Sequence, residues 1–223
     1  MEKPIAWGLP LTIAKIPRLS LHSAINWLIN RNINIDLLKP DRRLCALLIA
    51  KYGHGVIFID AIDPDDQIRF SLAHEVAHFL MDYIEPREIA LKKIGGQIQE
   101  VLDGKRSPTS EERFTGILRG VELNWYSHFL DRNFNGDVGF HRILNSEDRA
   151  DLLAIELLAP IDSILLALKK EGIDLSKQGA TKKIISILVN TYGLPIFVAK
   201  YYSRFLSIRK KSRQSFKQWL KGK

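Results

Sequence analysis

Cysteine is almost missing from the 223 residues: Cys45 is the only one. A single thiol excludes an internal disulfide, and with it any scaffold stapled by disulfides. It lies in the apolar run Leu44-Cys-Ala-Leu-Leu-Ile-Ala50 with no histidine beside it, so it reads as a core residue and not as a catalytic thiol. Long apolar runs are missing too. No stretch reaches the roughly 18 residues from which a membrane-spanning helix becomes credible. The opening residues, Met-Glu-Lys-Pro-Ile-Ala-Trp-Gly-Leu-Pro, lack the apolar centre and small-residue cleavage site of a secretory signal. Repeats and low-complexity tracts are also absent. The expectation is a soluble, cytoplasmic protein whose 46% hydrophobic content supports one substantial core, or a core with a smaller appendage.

Acidic charge is absent from one end. Nine Lys or Arg and no Asp or Glu fall between Lys200 and Lys223, so the other 24 basic residues face 25 acidic ones and the net charge of +8 is a C-terminal property. Such a basic tail suits contact with nucleic acid or an acidic partner. It suits a solvated helical end equally well.

Among the residues that are present, 74 to 78 read His-Glu-Val-Ala-His. On a helix, His74 and His78 stand about 6 Å apart along the axis and share a face. Two imidazoles so placed can converge on one metal ion, while Glu75 is turned by about 100° and can accept a proton from a water held there. A solvated helix could carry these residues to no purpose. The flanks Phe70, Leu72, Ala73, Val76, Ala77, Phe79 and Leu80 instead predict a largely buried helix, where two histidines and a carboxylate need partners. A zinc ion would satisfy all three.

The rest of the chain predicts a context for that helix. Residues 19 to 32 have helical spacing, with Ser20 as cap. Residues 44 to 51 and 56 to 62 are apolar, rich in Ile and Val, and separated by Tyr-Gly-His-Gly, which predicts a β-hairpin. Asp63-Pro64-Asp65-Asp66 supplies turn and capping chemistry for a helix running to about residue 83. A second helix is predicted over 86 to 103, and a third from Thr109 or Ser110 to about 118. The stretch 121 to 139 is aromatic (Trp125, Tyr126, Phe129, Phe134), and within it Asp131-Arg-Asn-Phe-Asn-Gly136 reads as a loop. Helices are predicted at 147 to 158, 162 to 170, 179 to 191 and from 196. The last pair, joined by Tyr192-Gly-Leu-Pro195, resembles a helix-turn-helix but also two ordinary packed helices.

A catalytic zinc needs one more protein ligand and an open position. The metzincin continuation is excluded, because Met81 and Ile84 occupy the places of its Gly and His. His128 and His141 are possible ligands, each alone in a loop-like region; His22 and His54 read as surface residues. Glu147 is the better candidate, since it opens a helix whose start could face the ion. Asp151, one turn on, could accept the outer N–H of a ligating histidine. The plainer role for Glu147 is a carboxylate favoured at a helix N-terminus, as for Asp148.

The block Arg69-Phe-Ser-Leu-Ala-His-Glu-Val-Ala-His-Phe-Leu80 and the block Glu147-Asp-Arg-Ala-Asp-Leu-Leu-Ala-Ile-Glu-Leu-Leu-Ala-Pro160 together resemble the ImmA/IrrE family of zinc metallopeptidases. The Glu147/Asp151 pair is also similar to the pattern of thermolysin-like gluzincins. The resemblance implies an α+β, zincin-like core with Zn²⁺ held by His74, His78 and Glu147, and with Glu75 as general base. It implies a DNA-binding repressor as protein substrate, cleaved to release stress or mobile-element genes. Arg149 stands where the family often has Glu, and Ala77 where it has Gly. The 68 residues between His78 and Glu147 make 98 to 142 read as an insertion. The expected organisation is a peptidase domain over 1 to 160 and a helical extension with a basic tail over 161 to 223. Tyr126, His128 and His141 are candidates for the oxyanion donor. The alternative is a nucleic-acid-binding regulator with a structural or degenerate metal site.

Overall fold

The structure, a computed structural model, describes residues 8–35, 39–132, 145–173 and 180–209. It is α+β, with a small mixed sheet among predominantly helical structure. Strand β1 (Leu11–Ile16) is absent from the sequence-based expectation because only Ala14 in it is buried, which leaves little hydrophobic alternation to read. Helix α1 (Leu21–Ile29) does open at Ser20: its hydroxyl accepts the Ser23 N–H, and the Ser23 hydroxyl accepts the Ser20 N–H.

Strands β2 (Leu44–Lys51) and β3 (His54–Asp60) form the expected hairpin, with Lys51 opposite His54. The two loop residues, Tyr52 and Gly53, both have positive φ, 54° and 79°, the conformation whose twist matches a two-residue hairpin. β2 is apolar along nearly its whole length because both faces of the sheet are covered. Ala46, Leu48 and Ala50 face a core with Val76 and Phe79; Leu47 and Ile49 face another with Leu21, Ala24 and Leu28 of α1.

Helix α2 (Asp65–His78) lies on the first of these faces and continues through a π-helical turn, Phe79–Ile84, into α3 (Glu85–Ile94). The helix expected over 86 to 103 is broken at Gly95 (φ 103°), after which a 3₁₀ turn leads into α4 (Gln99–Leu102). α5 (Ser110–Phe114) begins with the Thr109/Glu112 capping box but ends earlier than 118.

The reading of His128 as standing in a loop-like region needs correction, while most of the expected loop at 131 to 136 lies outside the described residues. Tyr126–Asp131 is strand β4, paired antiparallel with β2 at the edge of a sheet ordered β1-β3-β2-β4. The stretch expected as an insertion therefore supplies a strand of the central sheet. Its residues alternate: Tyr126 and Leu130 pack toward α2, Trp125 and Phe129 toward α1.

Helices α6 (Asn145–Leu158), α7 (Ile161–Lys170), α8 (Ala180–Asn190) and α9 (Ile196–Arg209) follow. They share one core with Phe70 and Ala73 of α2. The basic C-terminal run begins inside α9, where Tyr202 and Leu206 are buried, so its first part is core-forming helix; 210 to 223 lie outside the described residues. No described helix is long and apolar enough to cross a membrane.

Candidate metal centre

Helix α2 is enclosed on two sides, by the sheet through Val76 and by α6 through Ala73 and Phe70. This burial leaves His74, Glu75 and His78 2%, 0% and 1% exposed. Three polar side chains in such a seam require partners, and each has a carboxylate or an imidazole.

His74 Nδ1 lies 2.9 Å from Asp151 Oδ1 on α6. His78 Nδ1 lies 2.6 Å from Asp82 Oδ2 in the π-helical turn. His128, on β4, has Nδ1 at 3.1 and 3.0 Å from the two oxygens of Glu75. Each ring thus has a carboxylate behind it, able to accept its Nδ1–H and fix the tautomer that presents Nε2 as a lone-pair donor.

The Nε2 atoms of His74, His78 and His128 lie close to the Glu147 carboxylate, with the His78 and His128 rings stacked at 3.6 Å between centroids. His74 Nε2 and His78 Nε2 are 3.1 Å apart, and His128 Nε2 is 3.1 Å from Glu147 Oε1. His74 Nε2 to Glu147 Oε2 is 3.5 Å, and His78 Nε2 to Glu147 Oε1 is 3.6 Å. Four donors placed tetrahedrally around zinc at about 2.0–2.1 Å would be separated by about 3.3–3.4 Å. These four separations bracket that value, so the residues fit a metal of this kind. The donor atoms of His74, His78, His128 and Glu147 lie within 4.8 Å of one another and could hold a metal ion.

The electrostatics point the same way. Glu75, Asp82, Asp151 and Glu147 surround three imidazoles, a concentration of negative charge that favours a cation. Burial alone would push the His74 ring down, but hydrogen bonds to Asp151 and Glu147 outweigh it and hold it up at about 9. Burial of His128 is likewise outweighed by Glu75 and Glu147, which hold it at about 10. Hydrogen bonds from His128, His74 and His78 keep the Glu147 carboxyl well below the usual carboxylate range. Without a metal, protons supply the missing positive charge.

The candidates therefore divide clearly. His74, Glu75, His78, Glu147 and Asp151 come together. His128, expected to stand alone in a loop, also joins them, because Tyr126 and Leu130 alternate with it on the strand face toward α2. Tyr126 lies close by, its hydroxyl 3.4 Å from Asp82 Oδ2; burial pushes its ionisation far above the usual tyrosine range. His22 and His54 are exposed and outside the cluster, and His141 lies outside the described residues. Asp82 was missed by sequence reasoning, although its spacing of four from His78 is the same as that of Asp151 from Glu147. Ion pairs fix the end of β4: Arg132 reaches Asp60 and Asp63 at 2.7 and 2.8 Å, tying the strand to the turn before α2.

A cavity of about 510 Å³ lies away from this cluster, lined in part by Leu28, Ile49, Lys51, Val56 and Trp125. No family model, no curated protein and no solved structure matches the chain.

Proposed function

We propose that the chain is a zinc-dependent endopeptidase with a zincin-like core, of the kind implied by its resemblance to the ImmA/IrrE family. The observation that carries the proposal is the clustering of His74, His78 and Glu147, with Glu75 buried beside them. Zinc bound by these residues would supply Lewis-acid polarisation of a peptide carbonyl and an acidified water. The chain's own groups account for the rest. Asp151 and Asp82 hold His74 and His78 in the tautomer that presents Nε2. Glu75 is the proton acceptor, and returns the proton to the leaving amine. Tyr126, whose hydroxyl lies 3.4 Å from Asp82 Oδ2, is the candidate to donate a hydrogen bond to the developing oxyanion. By resemblance the substrate is a cytoplasmic DNA-binding repressor.

The test is Glu75→Gln. The amide oxygen keeps the hydrogen bond from His128 but cannot take a proton. Zinc content should stay near one per chain, while cleavage of a co-expressed repressor should fall at least about 100-fold, in the range of general-base losses. Undiminished cleavage would refute the assignment.

One observation favours a second reading. Four protein donors are characteristic of structural zinc, whereas catalytic zinc keeps a position open. On that reading the protein is a nucleic-acid-binding regulator acting through its basic C-terminus. Glu75→Gln would then have no effect, and binding to nucleic acid would weaken steeply with salt. Deletion of 210 to 223 should abolish that binding while sparing the buried part of α9.

A further inference from the structure

A hydrolytic zinc site needs an open coordination position and a free base, and in this structure one ring takes both. His128 Nε2 sits 3.1 Å from Glu147 Oε1, within the group of four residues that could hold a metal ion. Its Nδ1 engages both oxygens of Glu75. While His128 is there, Glu75 is hydrogen-bonded to a ring, and a metal held by this group would have four protein donors instead of three.

The four donors are not held alike. His74 and His78 belong to a helix buried on two sides and are 2% and 1% exposed. The His128 side chain is 15% exposed and comes from β4, which among the described residues pairs only with β2. Tyr126, Ser127, His128 and Phe129 are all only part-buried. Ion pairs through Arg132 and between Arg42 and Asp131 fix the far end of the strand. Rotation of the His128 side chain, with the strand in place, is therefore the motion that would release the fourth donor.

We propose that His128 is an exchangeable fourth zinc ligand that keeps the centre latent. Its departure opens a coordination position and frees Glu75 in a single movement. This rests on the zinc-peptidase reading and adds a closed resting state to it.

The test uses full-length zinc-loaded protein, wild type and His128→Ala, with His128→Asn as a second variant that keeps a polar side chain on the strand. X-ray absorption counts the imidazoles on zinc. In cobalt-substituted samples, titration with acetohydroxamate followed by visible absorption reports an open position. The expected result is three imidazoles in the wild type and two in each variant, with acetohydroxamate bound at least about tenfold more tightly by the variants. Two imidazoles in the wild type, or equal affinity for the probe in all three proteins, would overturn the latch and leave the peptidase reading standing. No zinc in any of them after reconstitution would overturn both.

Discussion

Removing the carboxylate behind a metal-binding histidine should weaken the metal by an amount set by how dry the site is. Asp151 Oδ1 is 2.9 Å from His74 Nδ1, and the residue is 8% exposed. In Asp151→Ala the Nδ1–H loses its acceptor where water has little access, and His74 loses the group that fixes its tautomer. Loss of such an outer partner costs about 10- to 100-fold in metal affinity, or about 1.4–2.8 kcal/mol. Burial places Asp151 toward the upper end. Asp82 plays the same part for His78 but its side chain is 30% exposed, so water can replace it and Asp82→Ala should lie toward the lower end. Asp148, exposed on the same helix as Asp151, should matter little. The assay is competition for zinc against a chelator of known affinity at pH 7.5, with circular dichroism confirming the fold of each variant. An Asp151→Ala protein that binds zinc as tightly as Asp148→Ala would refute the assignment of His74 as a metal ligand backed by Asp151.

Protons and metal should compete at this centre. His74 and His128 are held at about 9 and about 10 in the metal-free fold, against about 6.5 for a free imidazole. Raised values stabilise the fold fully below about pH 6.5, and that contribution is lost as pH rises through 9 to 10. The melting temperature of the metal-free protein should therefore fall across that window. Zinc binding at pH 7.5 should release about two protons, measurable by calorimetry in buffers of different ionisation enthalpy; no release would contradict the protonation of both rings. Elsewhere, a Cβ on Gly55 would meet Leu11 Cδ2 at 2.7 Å and Phe79 Cε2 at 2.9 Å. Gly55→Ala should lower stability by about 1–3 kcal/mol in a denaturant titration, and a neutral result would show that β1 and the π-helical turn give way easily there.

Most of the helices and the β2–β3 hairpin are legible in the sequence because their signals are local. Ser20 and Thr109 cap the helices that follow them, and Tyr52-Gly53 closes a hairpin between two apolar runs. His74, Glu75 and His78 are legible for the same reason, since a spacing of four on one helix carries the geometry. The misses are long-range. β1 has one buried residue and owes its place to parallel pairing with β3. β4 hides among aromatic residues, and its alternation has meaning only once β2 lies beside it. His128 reaches Glu75 across 53 positions and Asp151 reaches His74 across 77, distances over which spacing says nothing. Only the second of these pairs was suggested, through the position of Asp151 one turn beyond Glu147.

The most direct measurement is zinc per chain by elemental analysis, in the wild type and in proteins carrying Glu147→Ala or the His74→Ala and His78→Ala pair. About one zinc in the wild type, weakened retention with Glu147→Ala, where the histidines remain, and none in the histidine pair is the expected result. A wild type that holds no zinc after reconstitution, or a histidine pair that keeps it, would contradict a metal centre built on α2.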